Sequence, residues 1–409
     1  MKKKQLNFQE KVLMFIKRTK PSSGKQALIL TPILILVLAL AGWGQRSGAL
    51  QDPNLAKKES SDDITLTMVG DIMMGRHIKE VTSRHGEDFV FRNVQPFFDE
   101  SDYVSGNYES PILTNDEDSY EKIDKSIHLY SEEEDLKTMK NAGFDVLNLA
   151  NNHAMDYGTK GLEDTLASFE KNRMNYVGAG RNKEEAKHIS YKEVDGVKIA
   201  SVGFTDVYVA GMKAGKNNPG ILDADPDVIF ETIQEAKENA DLVVVNAHWG
   251  AEYDVEPSER QQGLAKAMVD AGADIIIGHH PHVLQSFDVY NGSIIFYSLG
   301  NFVFDQGWSS TKNTAMVQYN LNKEGQATVD VIPMIIKEGS PTPTDNPWRM
   351  KRIYNDLTKY ASNEGRLEKE DKKFQIKLDH THVMKRSQER QNQSDDAPAN
   401  NTEEAYTQQ

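Results

Sequence analysis

The chain predicts a layered α/β fold, a mixed sheet or two packed sheets flanked by helices, on three observations. Six apolar runs each stop abruptly at a cluster of Asp, Asn, Glu or His, as buried strands do where they meet a turn. Between several of these runs lie stretches whose apolar residues recur at helical spacing. Two other segments carry the Asp-Gly and Asn-Gly dipeptides of tight hairpins. Alternating strands and helices give layers. The hairpins add antiparallel pairs that a pure doubly wound sheet lacks.

Taken in order, the first run ends Thr67-Met68-Val69-Gly70-Asp71 and the second ends Tyr103-Val104-Ser105-Gly106-Asn107-Tyr108-Glu109. The third, Leu147-Asn148-Leu149-Ala150, leads into Asn151-Asn152-His153. A helix over 160–169 follows, with Leu162, Leu166 and Phe169 on one face. Residues 194–202 read as a hairpin turning at Asp195-Gly196, and 228–237 as another helix. The fourth run ends Val243-Val244-Val245-Asn246-Ala247-His248 and precedes a helix over 258–272 closed by Gly272. Next, Ala273-Asp274-Ile275-Ile276-Ile277 meets the densest cluster, Gly278-His279-His280-Pro281-His282. A hairpin at Asn291-Gly292 leads to the last run, which ends Ser298-Leu299-Gly300-Asn301. Polar residues gathered just past strand ends are where open α/β sheets place their ligands.

The bulk numbers narrow the function classes. At 409 residues and 38% hydrophobic, the chain can bury one large core or two modest ones. The whole chain carries −15, and its first 26 residues carry about +7, so the remainder stands near −22. Such a body does not bind nucleic acid through its overall field, and an anionic ligand needs a local basic pocket or a metal. There is no cysteine, which excludes disulfides, thiolate zinc sites and a cysteine nucleophile.

The ends differ from the middle. Residues 1–26 form a basic segment expected on the cytoplasmic side. Residues 27–45 are uncharged and nearly all apolar, about 28 Å long as a helix, and read as one uncleaved N-terminal transmembrane helix with Trp43 at the outer interface. A cleaved signal peptide would have a shorter apolar stretch and a shorter charged leader. Residues 46–62 are a polar linker, and the main domain over 63–338 is expected outside the membrane. Residues 339–409 form a C-terminal extension. Pro341, Pro343 and Pro347 break the chain there, 353–360 can form a short amphipathic helix, and a disordered polar tail begins at Arg386.

Asp71, Glu109, Asn152, His153, His248, His280 and His282 come from five segments. Neutral imidazoles bind divalent metals and carboxylates supply hard oxygen, so a shared site drawn from several strands suits one or two cations. Their order resembles the calcineurin-like metallophosphoesterase pattern of D-x-H, GD-x-x-D, GNH, a lone His and GHxH. More closely, Gly70-Asp71-Ile72-Met73-Met74-Gly75-Arg76, Ala150-Asn151-Asn152-His153-Ala154-Met155-Asp156-Tyr157-Gly158, His248-Trp249-Gly250-Ala251-Glu252-Tyr253, Gly278-His279-His280-Pro281-His282-Val283 and Ser298-Leu299-Gly300-Asn301-Phe302-Val303-Phe304-Asp305 resemble the CapA/PgsA family of poly-γ-glutamate capsule biosynthesis proteins. The resemblance spans the apolar anchor and nearly all of 63–338.

It implies a metallophosphatase-like sandwich of two mixed sheets flanked by helices, a divalent metal ion, and a place in a membrane-bound complex with ligase and integral-membrane subunits and the polymer. It also implies Asp71, His248, His280 and His282 as metal ligands, with Asn152 and Glu109 next. By the same analogy His153 acts as a general acid near the leaving group, and Arg76 holds an anionic substrate. Asp156, Glu252 and Asn301 orient these groups, and Trp249 packs. Two positions depart from the pattern: Met73 stands where the first motif has His, and Asn107 where the second has a bridging Asp. That leaves either a one-metal site or a metal-free polar pocket. Three functions fit: a membrane-anchored extracytoplasmic component of poly-γ-glutamate synthesis and export, a cell-envelope metallophosphoesterase, or a structural subunit with a fossil site.

Overall fold

The computed structural model describes residues 63–307, 310–362 and 366–395. The basic segment 1–26, the apolar segment 27–45, the linker 46–62 and residues 396–409 lie outside the described residues. No helix among the described residues is long and apolar enough to cross a membrane.

The chain begins with β1 (Ile64–Ile72), β2 (Tyr103–Tyr108), β3 (Val146–Asn148) and β4 (Asn175–Val177), four parallel strands in sequential order. Helices Arg76–His85, Glu133–Ala142 and Gly158–Asn172 connect them. β5 (Ala179–Gly180) is short, and β6 (Ser190–Val194) turns into β7 (Val197–Thr205). The turn is the expected hairpin, with Asp195 and Gly196 both at positive φ. β8 (Gly220–Ile221) pairs with β5.

The second sheet then grows through β9 (Leu242–His248), β10 (Ile275–His279), β11 (Phe287–Tyr290) and β12 (Ser293–Phe296), in the order β11-β12-β10-β9-β7-β6. Helices Pro226–Asn239 and Glu259–Ala271 precede β9 and β10. Six later strands return to the first sheet: β13 (Asn301–Val303), β14 (Asn313–Leu321), β15 (Gln326–Lys337), β16 (Ser340–Pro343), β17 (Glu368–Lys369) and β18 (Phe374–Asp379). Its order is β17-β18-β15-β14-β1-β2-β3-β4, with β13 beside β1 and β16 beside β15. The mixed sheets follow directly from the pairing, parallel in the strand-helix units and antiparallel in the hairpins.

Alternation within strands builds the layers. Leu242 and Val244 of β9, Ile275 and Ile277 of β10, and Ile294 and Phe296 of β12 join Ile64, Leu66 and Met68 of β1 in the core between the sheets. Val243, Val245, Ile276 and Ile295 point the other way, against helices Pro226–Asn239 and Glu259–Ala271. On the first sheet's outer face Phe98 packs against Phe144 and Phe302, and Tyr108 against Phe169 of the helix after β3.

The expected tail from Arg386 is corrected: helix Thr381–Asp395 runs through it. Composition alone gave that segment nothing to bury, but its cations meet buried carboxylates. Arg386 pairs with Asp274 at 3.0 Å and Arg390 with Asp241 at 3.0 Å, while Ser387 donates to the Gly196 carbonyl. The short helix expected over 353–360 is Pro347–Thr358, started by its proline and capped by Asn346.

Candidate metal centre

The strand phases that build the core also place the site. Counting by two from Leu242 reaches Asn246 and His248 on the inter-sheet side of β9, and from Ile275 reaches His279 on β10. The same count from Tyr103 reaches Asn107 and Glu109, and from Val146 reaches Asn148. The two sheets therefore bring polar groups together where their parallel strands end, at the top of the shared core.

Asp71 breaks the count. From Met68 it would face outward, but β1 advances three residues, Met68 to Asp71, while β2 advances two, Ser105 to Asn107. This bulge re-aims Asp71 into the seam. Gly70 makes the bulge possible, because a Cβ there would lie 1.9 Å from the Gly300 carbonyl oxygen. Asp71 N–H donates to that same oxygen at 3.0 Å. After β10 the backbone turns through His280 (φ 95) and His282 (φ 56), a conformation non-glycine residues rarely hold. The turn sets the His280 N–H 3.3 Å from Asp71 Oδ2.

A chain of amides crosses the seam. Asn148 Nδ2 donates to Asn107 Oδ1 (3.0 Å), and Asn107 Nδ2 donates to Asp71 Oδ1 (2.9 Å) and lies 3.3 Å from His248 Nδ1. His248 Nε2 is 3.0 Å from Asn152 Oδ1. His282 Nδ1 donates to Asn301 Oδ1 (2.8 Å) and sits 3.4 Å from Asp71 Oδ2, with its Nε2 3.7 Å from Glu109 Oε1. His153 Nε2 is 4.0 Å from the same Glu109 oxygen. Asp71, Glu109, Asn152, His153, His248, His280 and His282 are thus brought to one place.

Burial drives the electrostatics. It pushes His248 well below the usual histidine range and His280 down to about 3, helped by neighbouring imidazoles, so both rings stand neutral. Burial also pushes Glu109 well above the carboxylate range. Asp71 goes the other way: burial would raise it, but hydrogen bonds and charge from His279 and His282 hold it well below. His282 is raised to about 9, because Glu109 and Asp71 outweigh the burial that would lower it.

The residues fit a divalent cation. Glu109 is wholly buried, yet neither carboxylate oxygen has a hydrogen-bond partner, and Nδ1 of His280 also lacks one. Native interiors rarely leave such atoms unmet, each at a cost of about 1–3 kcal/mol. Three ligand sets bring one donor atom per residue within 4.8 Å: Glu109, His248 and His280; Asp71, Glu109 and His282; and Glu252, His280 and His282. Mixed imidazole and carboxylate donors suit a borderline transition ion better than calcium or magnesium.

Around this cluster, His153 Nδ1 donates to Asp156 Oδ2 at 2.7 Å, which turns its other nitrogen toward Glu109. Lys125 fixes that pair from a loop, donating to Asp156 Oδ1 (2.7 Å) and the Asn152 carbonyl (2.8 Å). Arg76 is at the rim with its guanidinium paired to Asp305 and stacked near Phe304. Trp249 is fully buried and donates to the Tyr297 carbonyl, which is packing. Sequence reasoning missed His279 and Lys125. The phase of β10 exposes His279; nothing in the polar loop 110–131 marks Lys125.

The profile of the bacterial capsule synthesis protein family PGA_cap matches residues 65–306. The chain belongs to this family of bacterial capsule synthesis proteins. It is 53% identical to the capsule biosynthesis protein CapA of Bacillus anthracis over 95% of each chain. It is 46% identical to the PGA biosynthesis protein CapA of Bacillus subtilis strain 168, over 94% of this chain and 99% of that one. Among solved structures it is similar to a 5'-nucleotidase precursor from Thermus thermophilus, with TM-score 0.41 and 12% identity, over 72% of this chain and 58% of that one.

Within the family's chain, the two departures from the metallophosphoesterase pattern take definite forms. Met73 is buried without a polar role. Asn107 serves as the amide that holds Asp71 and His248 in register, and Glu109, two residues on and on the same face, brings the carboxylate into the seam.

Proposed function

We propose that this protein is a membrane-anchored, extracytoplasmic component of poly-γ-glutamate capsule synthesis and export, and that it holds a divalent cation where its parallel strands end. The near full-length likeness to capsule biosynthesis proteins supports the pathway. The observation that carries the site is Glu109, a buried carboxylate with neither oxygen hydrogen-bonded, placed with the neutral imidazoles of His248 and His280 and 3.7 Å from His282.

Asp71, Glu109, His248, His280 and His282 would hold the ion, with Asn152 beside His248. When bound, a divalent cation acidifies its water and polarises a phosphoryl or acyl oxygen. His153, oriented by Asp156 and Lys125, presents Nε2 to the same space and can pass a proton there. Arg76 takes its place at the entrance, where its bond to Asp305 leaves 40% of its side chain exposed to meet an anionic group. The apolar segment 27–45 anchors the chain with its N-terminus in the cytoplasm, and ligase and integral-membrane subunits are the expected partners.

The test is to purify the full chain, measure bound metal, and compare with Asp71→Ala and His280→Ala, alongside polymer output in cells carrying each form as the sole copy. The expected result is metal in the wild type, loss of metal in both variants, and loss of polymer with it. A metal-free wild type that still supports polymer production would sink the metal reading. Cleavage of simple phosphoesters by the wild type, abolished in both variants, would favour a cell-envelope metallophosphoesterase.

A further inference from the structure

Trp348 is 83% exposed, far more than any other large apolar side chain among the described residues. It lies in the first turn of helix Pro347–Thr358, whose inner face buries Ile353 and Leu357. Helical spacing puts Trp348, Lys351, Arg352, Asn355 and Lys359 on the opposite face, and all five are exposed. Several surface cations of this acidic protein are tied to carboxylates, Arg76, Arg181 and Arg260 among them. Lys351 and Arg352 form no ion pair among the described residues. An indole and unpaired cations on one stripe form a surface whose partner is anionic and also takes up an aromatic ring.

The stripe also has a definite address. Arg349 at its start donates to Asn313 Oδ1 at 3.2 Å. Asn313 follows the segment that carries Asp305, Gln306 and Thr311, and the last two bind the Asn301 amide that faces His282. The first turn of this helix therefore lies on the strand-end side of the molecule that also carries the candidate metal centre.

We propose that this face docks on the anionic headgroup layer of a lipid bilayer. Indoles settle at the headgroup level, and each cation near an anionic surface adds attraction. A polyanion without apolar groups would meet the cations but leave the indole in water. The proposal rests in part on the anchor reading. From an anchor ending at residue 45, the 17 residues before Asp63 reach at most about 60 Å, which keeps the body near the membrane.

The absence of cysteine allows a clean test. Full-length Asn355→Cys is labelled with a nitroxide and mixed with phosphatidylglycerol-containing or pure phosphatidylcholine bilayers, either reconstituted or added from outside. Collisions with an aqueous nickel chelate are then read by electron paramagnetic resonance. A second labelled variant, Glu238→Cys, lies on the exposed end of helix Pro226–Asn239 and reports the body's far end. Docking is expected to shield the 355 label on the anionic bilayer only, and to leave the 238 label in water. Adding Lys351→Gln and Arg352→Gln is expected to shift the docked-to-free ratio on the order of thirtyfold toward free, from about 1 kcal/mol per cation. A 355 label equally exposed on both bilayers overturns the proposal. So does shielding that appears only on adding poly-γ-glutamate, which would make the stripe a polymer seat. Carbonate extraction reports the anchor separately, so a chain that washes off yet docks from outside fails the anchor reading and keeps this one.

Discussion

Glu109 is held without a hydrogen bond in a place where burial penalises its charge, and His282, 3.7 Å away, offsets that penalty only in part, so its presence costs stability unless a further cation meets it. Glu109→Gln keeps the volume and removes the charge. The expected outcome is an unchanged or higher melting temperature in chelator, with metal affinity lowered at least on the order of tenfold; thermal melts and metal titration check both. Lys125 acts one step further out. Lys125→Met is expected to leave metal content intact while reducing polymer output, because Asp156 loses its 2.7 Å donor and His153 its fixed orientation. Metal analysis beside polymer assay separates that from a folding defect. At this scale the sequence showed types and order. His280, His282, His248, Asp71 and Asn152 could be picked out as polar residues after apolar runs. Their mutual distances could not, and Lys125 looks like any loop lysine until the loop is folded back.

Single elements carry information that the pattern of residues blurs. An Asp stands at both ends of the parallel strands, with opposite roles. Asp102, Asp145, Asp241 and Asp274 precede their strands and accept N–H groups of neighbouring strands, from Thr65, Val104, Lys198 and Val243, each at 2.7–2.8 Å. Asp71, at the other end of β1, faces the centre. The bulge that aims it depends on Gly70. Gly70→Ala is expected to cost more than about 2 kcal/mol and to abolish metal binding, since the added Cβ meets backbone that cannot move aside. Denaturant melts and metal titration check it.

Asp274 ties the last helix to the body. Burial would raise its carboxyl, but His382, Arg386 and Lys237 hold it down at about 2. Its folded value lies below the ordinary 3.8, so its stabilisation, about 2 kcal/mol, is full above pH about 4 and is lost as pH falls through about 2. Asp274→Asn is expected to lower stability by about that amount at pH 7, with the gap closing toward pH 2. Chemical melts across that range, and proteolysis of the C-terminal helix, report it.

At the scale of the whole molecule, the candidate centre draws Asp71, Glu109 and Asn152 from the first sheet and His248, His280 and His282 from the second. A cation held between them would bridge the layers and favour the folded state as a unit. At a free concentration about a hundred times its dissociation constant it would add about 2.7 kcal/mol, and raise the melting temperature by on the order of 5 °C. That rise is expected in the wild type and absent in Asp71→Ala, by calorimetry with and without added metal.

Composition, period and turn chemistry by themselves determined that this chain forms helix-flanked mixed sheets, with hairpins at Asp195-Gly196 and Asn291-Gly292 and polar residues massed at strand ends. These are local properties, set by neighbours within a few residues. The tertiary structure decided the rest. It turned Asp71 inward through a bulge created by the approach of Gly300, made Asn107 a hydrogen-bonding spacer and Glu109 the buried acid. It also converted a polar segment from Arg386 into a helix held by Asp274 and Asp241. Each of these depends on groups at least 36 residues apart in the chain meeting in space, and no local pattern encodes such a meeting.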